Sequence, residues 1–429
     1  MRRHVGLDVH QGFCEVAIRE DGSTRSAGRV TTDRGALELF AQSLCPTDEV
    51  AMEATGPAME IARIIRAHVA RVVVANAQEV RAISHARVKS DRFDARTLAD
   101  LLAAGMLAAV WIPDAETQVL RRRVARRAAL VRQRTRAKNE IHATLARCLL
   151  GRSPVSDLFG KKGRAWLSEQ QLGVEEAETV SGCLRQIDFL DAEVTQIDRK
   201  LSEWALASED ARRLMSIPGV SAGVAAALMA AIGDISRFSS PRQLVAYLGL
   251  DPKVRQSGDE PARHGRISKR GNAQARSVLV EAAWITIRQP GPLHAFGERI
   301  RARKGAQVAA VAVARKLACL SWQLLTKRED YAFARPSLLR SKRRRLELDA
   351  GATALPTRHG AQRISANATE RAAERELIEH AEAAYRRLIA DWKATRPTKT
   401  GAGATHGHAP SRPSKRQAAR QATTQTPAL

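Results

Sequence analysis

The stretch Lys89-Ser-Asp91-Arg-Phe-Asp94-Ala-Arg96 sets two carboxylates three residues apart in a basic neighbourhood, where an apolar helical pattern begins. Positions i and i+3 share a helix face, so Asp91 and Asp94 point at one spot. Left alone, two carboxylates there repel each other. Gathered around a hard divalent cation they do not. The reading of the chain turns on whether other segments bring further ligands to that spot.

Working back towards the N-terminus, residues 3–9 (Arg-His-Val-Gly-Leu-Asp8-Val) read as a buried strand carrying one carboxylate. Cys14 to Glu20 alternates apolar and polar and reads as its hairpin partner, turned at Gln11-Gly12. Residues 23–31 suit a third strand. Residues 34–44 suit a helix whose apolar side is Leu37, Leu39, Phe40 and Leu44. Glu49-Val-Ala-Met52 is a short apolar strand that ends in Glu53-Ala-Thr-Gly56-Pro57, and Pro57 suits a first helical turn. Residues 71–75 (Arg-Val-Val-Val-Ala) are a β-branched run of the kind covered on both faces. Hairpin strands, helix, strand, helix and strand in that order predict an α/β layer domain.

Three acidic features fall at telling places in this pattern. Asp8 lies inside the first strand, and Asp91 and Asp94 open a later helix. Glu53 ends a central strand, where open α/β sheets put their ligands. Each alone has an ordinary explanation: a paired strand residue, a helix cap, a solvated ion-pair face. Together they place four anions in one compact domain. Burying them without cations costs many kcal/mol, which favours a divalent metal site.

The whole chain bounds the rest. Its 429 residues suffice for two or three domains, and 70 Lys+Arg against 45 Asp+Glu give a formal charge of +25. Such an excess predicts a polyanionic partner. The five cysteines (Cys14, Cys45, Cys148, Cys183, Cys319) form no CxxC pair, which argues against a zinc site or disulfide framework. No signal peptide precedes the first strand, and no apolar run approaches the roughly 20 residues of a membrane span. A cytoplasmic, nucleoid-associated protein without membrane contact is expected.

Gly6-Leu-Asp8-Val-His, Met52-Glu53-Ala-Thr-Gly-Pro and Ser90-Asp91-Arg-Phe-Asp94-Ala-Arg resemble, in order and in local sequence, the three blocks of the RuvC-like DEDD insertion-sequence transposases, relatives of the Piv DNA invertases. The resemblance implies an RNase H-like fold for residues 1–112, with Asp8, Glu53, Asp91 and Asp94 as ligands of Mg2+ or Mn2+. In such a site paired ions clamp the attacking and leaving oxygens of a phosphodiester.

Residues 113–206 read as a basic helical, coiled-coil region. Residues 117–147 hold ten Lys/Arg and one acid, Glu140, around an apolar stripe of Leu120, Val124, Val131, Ile141 and Leu145. That imbalance favours a phosphate-tracking helix over a salt-bridged face, with Arg121, Arg122, Arg126, Arg127 and Arg134 as contacts. Residues 151–182 suit a connector with a short helix. Cys183, Ile187, Leu190, Val194, Ile197, Leu201 and Trp204 then form an a/d heptad stripe. It can pair with residues 117–147 of the same chain or with another subunit.

Residues 207–333 read as a mainly helical domain. Leu214-Met-Ser-Ile-Pro-Gly-Val220 before the apolar run Val224 to Ile232 resembles a helix-hairpin-helix turn that presents backbone amides to a phosphate. A helix follows from Pro241 to near Gly249. Next come Arg255-Gln-Ser257-Gly258 and Gly265-Arg266-Ile-Ser268-Lys269-Arg270-Gly271. A serine attacking a phosphodiester needs an approachable hydroxyl and cations for the phosphate charge, and both loops supply them. The order of these blocks, with the apolar helix from Ser277 to Ile287, resembles the C-terminal domain of the same family. By that resemblance Ser257 is the nucleophile, with Arg255, Arg266, Lys269 and Arg270 around the DNA, and Ser268 is its internal competitor. Tyr247, Tyr331 and Tyr385 are the only tyrosines, and Tyr247 lies in an apolar helix pattern, against tyrosine-recombinase chemistry.

The resemblance covers about residues 4–333. It implies a DNA transposase that cleaves and rejoins strands through a phosphoserine link, on donor and target DNA, guided by a structured noncoding RNA. It also implies a homodimer or homotetramer whose sites combine different subunits. The alternatives are a junction-resolving nuclease that hydrolyses, with Ser257 structural, and a non-catalytic nucleic-acid-binding protein. Residues 334–429 depart from the family and read as a basic, largely disordered tail with one helix at 368–392. Residues 395–429 hold six basic and no acidic residues.

Overall fold

Strands β1 (His4–Val9) and β2 (Phe13–Glu20), mostly buried, and β3 (Ser23–Thr31), mostly exposed, form an antiparallel meander. Helix α1 (Arg34–Gln42), strand β4 (Glu49–Glu53), helix α2 (Ala58–Ile65), strand β5 (Arg71–Ala75) and helix α3 (Ala77–Ile83) follow. Helix α4 (Asp91–Ala103) and the short strand β6 (Ala109–Val110) complete the layer. The sheet order is β3-β2-β1-β4-β5-β6, with β1, β4 and β5 parallel and β6 antiparallel. This computed structural model describes residues 2–83, 90–353 and 368–394. Lys89, and the segment 395–429 expected to be disordered, lie outside the described residues.

The two sheet faces differ. Val5, Leu7, Val9, Val50 and Met52 point to α1 and α2, meeting Leu37, Ala41, Ile61 and Ile65. The alternate residues Ala51, Val73 and Ala75 point to α4, meeting Leu98 and Leu102. Gly6 also faces α4. A Cβ on it would lie 2.1 Å from the Ala95 carbonyl oxygen and 2.7 Å from the Ala99 nitrogen, so the helix backbone lies directly on β1 there. Asp8, two residues on, shares that face by the period of the strand.

Helices α5 (Ala115–Arg147) and α7 (Val174–Ala207), joined through the short α6 (Lys161–Ser168), pack antiparallel in one chain. Ile141, Ala137 and Leu145 meet Val180, Cys183 and Ile187; Leu130 meets Leu190 and Val194; Leu120 and Val124 meet Leu201. The heptad stripe is therefore covered within the chain. Each fully buried Ile or Leu along it contributes about 1.5–3 kcal/mol.

The C-terminal core comprises α8 (Glu209–Met215), α9 (Ala222–Ile232), α10 (Pro241–Tyr247), the hairpin β7 (Pro252–Arg255) and β8 (Arg263–Ile267), α11 (Ala273–Arg288), α12 (Pro292–Lys304) and α13 (Ala306–Lys327). Helix α13 corrects one expectation: by length and composition it is apolar enough to cross a membrane. Here it is the central helix of this core, with Ala310, Val313, Ala314 and Leu317 buried against α10, α11 and α12.

The expected tail departs from its reading in a second way. Its described residues hold two helices, not one: α14 (Pro336–Asp349) and α15 (Ala368–Ala394). Leu346 of α14 enters the C-terminal core, and Lys342 Nζ donates to the Met215 and Ile217 carbonyls at 2.6 and 2.8 Å. Glu374 and Glu382 of α15 accept from the Ser337 and Gly291 amides. The charged residues that read as solvated tail from composition make these specific contacts.

Candidate active site

Two strand ends and one helix start build the site. The parallel register ends at Leu7↔Met52, one residue before Asp8 and Glu53, which stand at the carboxyl ends of adjacent strands; by the strand period both fall on the face that α4 covers. Strands in a sheet lie about 4.8 Å apart, so these two acids are neighbours. Ser90 caps α4, its hydroxyl accepting from the Phe93 amide at 3.3 Å. Asp91 and Asp94 occupy the first turn, where the helix dipole favours negative charge. Ala95, Leu98, Ala99 and Leu102 bury the opposite stripe on the sheet, which aims the first turn at Asp8.

The electrostatics reflect that crowding. Burial pushes the Asp8 carboxyl above its ordinary value, and the Asp94 and Asp91 carboxylates push it further in the same direction. His10 opposes them: its Nε2 lies 3.0 Å from Asp8 Oδ2 and 3.4 Å from Asp91 Oδ1. One ligand atom each from Asp8, His10 and Asp91 lie within 4.8 Å of one another. Divalent cations take carboxylate and imidazole donors at such spacing, so these residues fit a metal.

Two residues here escaped the reading of the sequence. His10 stands inside the quoted Gly6-to-His10 block, and its separation from Asp8 by one residue was the signal that both face α4. Glu15 is the strand partner of Asp8 and only 1% exposed; it pairs with Arg29 at 2.7 Å and Arg92 at 3.4 Å. Its apolar neighbours Cys14 and Val16 hid it among core residues.

Ser257 belongs to a different part of the chain from the carboxylates. It sits in the exposed loop between β7 and β8, next to Gly258, and its hydroxyl has no partner among the described residues. Arg255 and Arg263 face each other across the hairpin, and Arg266, Lys269 and Arg270 are exposed nearby in sequence. Ser268 is engaged instead: its hydroxyl donates to Asp251 Oδ1 at 2.5 Å and its amide to the Asp251 carbonyl. No hydrogen bond or ion pair among the described residues joins the 252–267 hairpin to Asp8, His10, Asp91 or Asp94.

The five arginines of α5 expected to contact phosphate fall into three settings. Arg127 and Arg134 pair with Asp198 and Asp191 of α7, and Arg126 lies 3.6 Å from Glu193. Arg121 donates to the Ala230 carbonyl at 2.7 Å and lies over the Trp111 ring. Arg122 is exposed and has no ion-pair partner among the described residues. Three of the basic residues of α5 thus meet acids that sit on α7. The helix-hairpin-helix expectation changes as well. Ser216, Ile217 and Pro218 are buried; the Pro218 carbonyl accepts from Thr286 Oγ1 at 2.8 Å, and Lys342 takes two other carbonyls. The turn is a packing joint rather than an open amide nest.

Two families of sequence match this chain. A DEDD transposase model of IS110 type matches residues 5–149, and the model of the transposase IS116/IS110/IS902 family matches residues 211–298. The chain is 31% identical over 293 residues to the putative transposase y4qE of Sinorhizobium fredii, covering 67% of this chain and 72% of that one. It is also 31% identical over 249 residues to the transposase for insertion sequence element IS1111A of Coxiella burnetii, covering 57% and 68%. The pilin gene-inverting protein of Moraxella bovis is 27% identical over 146 residues, 32% of this chain and 45% of its own length.

Proposed function

Because the chain belongs to the IS116/IS110/IS902 family of DEDD transposases, and so is a DNA-cleaving and rejoining enzyme, we propose that it moves an insertion sequence through a phosphoserine intermediate. The observation that supports the reading is the parallel register of β1 on β4, which ends one residue before Asp8 and Glu53, near the first turn of α4. The sheet order, with three antiparallel strands followed by two parallel ones, supports an RNase H-like arrangement. Asp8, Glu53, Asp91 and Asp94 would hold Mg2+ or Mn2+, which when bound polarises the scissile phosphate.

Ser257 supplies the nucleophile. Its unpartnered hydroxyl at an exposed hairpin tip supports this, as does the engagement of Ser268 by Asp251. As the Ser257 Oγ–P bond forms, the bond from phosphorus to one deoxyribose oxygen breaks. The proton from Oγ ends on that departing oxygen. The ester keeps the phosphodiester energy, so the reverse attack rejoins strands without another energy source. Arg255, Arg266, Lys269 and Arg270 offset phosphate charge beside the serine. That no hydrogen bond or ion pair among the described residues joins the hairpin to Asp8, His10, Asp91 or Asp94 supports a site assembled between subunits of a homodimer or homotetramer. A structured noncoding RNA would pair with donor and target DNA, with exposed Arg122 as one phosphate contact.

Trapping tests this. Donor DNA incubated with the full chain, Mg2+ and the guide RNA gives a covalent adduct whose peptide mass maps to Ser257. Ser257→Ala loses the adduct, and Asp8→Asn loses cleavage. An adduct on another residue overturns the serine assignment. Full cleavage by Ser257→Ala indicates a hydrolytic junction-resolving nuclease. Unchanged recombination by Asp8→Asn removes the metal site.

A further inference from the structure

We propose that His10 is a direct metal ligand, so that the ion nearest β1 is held by Asp8, His10 and Asp91 and the site prefers Mn2+ to Mg2+. The inference rests on the carboxylate site described above and adds a nitrogen donor to it.

The distances carry the argument. Ligands at adjacent corners of an octahedral ion with bonds of about 2.1 Å stand roughly 3 Å apart. His10 Nε2 stands 3.0 Å from Asp8 Oδ2 and 3.4 Å from Asp91 Oδ1. Nε2 stands at hydrogen-bond distance from Asp8, and a histidine that braced only that carboxylate would need no second acid beside the same nitrogen. Here a single ring nitrogen faces carboxylates from two separate elements, the end of β1 and the start of α4. That is the place of a third ligand on a shared centre.

The ring is also built into position. The His10 amide donates to the Phe13 carbonyl at 2.9 Å, and the His10 carbonyl accepts from Thr32 Oγ1 at 3.1 Å. The His10 ring lies 5.0 Å from that of Phe13, whose ring carries the Arg29 guanidinium at 4.2 Å. Both backbone groups and the side chain are thus fixed by β2 and the end of β3. Chemistry then sets the preference. Mg2+ is hard and selects oxygen at near-ideal octahedral geometry. A first-row transition ion accepts imidazole nitrogen more readily, so one nitrogen among carboxylates shifts selectivity toward Mn2+.

The test uses the full chain with Mn2+ alone. Pulsed electron paramagnetic resonance of bound Mn2+ is expected to show coupling to a coordinated imidazole 14N, absent in His10→Ala. Calorimetric titration is expected to show Mn2+ affinity reduced about tenfold more than Mg2+ affinity by that substitution. Mn2+ bound without 14N coupling, or equal losses for the two ions, overturns the ligand role and leaves His10 a positioning residue. Asp8→Asn separates the two layers of the argument. If it leaves Mn2+ binding unchanged, the carboxylate site itself fails and His10 falls with it. If it abolishes binding while His10→Ala does not alter selectivity, only the nitrogen ligand fails.

Discussion

Gly6→Ala probes how closely the catalytic face depends on one missing methyl group. The added Cβ would lie 2.1 Å from the Ala95 oxygen, 2.7 Å from the Ala99 nitrogen and 3.1 Å from Leu98 Cβ. Ordinary C···O contact needs about 3.3 Å or more, so α4 must lift from β1 by roughly 1 Å. The first two obstacles are backbone atoms, and no side-chain rotation relieves them. Overpacking of this kind costs about 1–3 kcal/mol. Because α4 carries Asp91 and Asp94 in its first turn, the lift also separates them from Asp8 and Glu53. A misplacement of about 1 Å costs roughly 100-fold in rate. Urea unfolding followed by circular dichroism measures the first quantity, and single-turnover cleavage of donor DNA measures the second. Wild-type stability together with wild-type cleavage refutes the close approach of α4 to β1. Lost stability with unchanged cleavage per folded molecule refutes the link between that approach and the site.

Three further outcomes follow from contacts elsewhere. Burial depresses Lys342 from 10.5 to about 8, so between those pH values the unfolded chain binds more protons than the folded one. Stability therefore rises with pH across that window; Lys342→Met is expected to remove the rise, as chemical denaturation at several pH values checks, and persistence of the rise in that variant refutes the assignment to Lys342. Arg122→Ala is expected to lower the salt slope of DNA binding by about 1, whereas Arg127→Ala leaves the slope unchanged and shows a coupling of about 1 kcal/mol with Asp198→Ala in a double-mutant cycle on stability. Gly182→Ala, inside α7 with only Arg185 Nη2 at 3.8 Å from the new methyl, stabilises the chain by about 0.5–1 kcal/mol in the same denaturation assay.

Local pattern made much of the fold legible. The strand period of two sorted Val5, Leu7 and Met52 from Gly6, Asp8 and Glu53, and that sorting sets the two faces of the sheet. The cap Ser90 and the stripe behind it placed Asp91 and Asp94 at a helix start. The stripe from Cys183 to Trp204 announced a long packed helix. What stayed hidden depended on a partner distant in sequence. Arg127 and Arg134 read as free for phosphate because Asp198 and Asp191 lie on another helix. Lys342 read as part of a solvated tail because the carbonyls it caps belong to the turn after α8.

The sequence by itself determined most strands and helices of the N-terminal layer, the identities of the candidate carboxylates and the transposase family, because helix and strand periods and short motifs are properties of neighbouring residues. The tertiary structure alone decided three things: that the α7 stripe closes on α5 of the same chain, that His10 reaches both Asp8 and Asp91, and that Ser268 is engaged while Ser257 is open. Each is a meeting of side chains from separate elements, and it is the packing of Gly6 against α4 that brings the start of that helix, with Asp91 and Asp94, onto the end of the first strand.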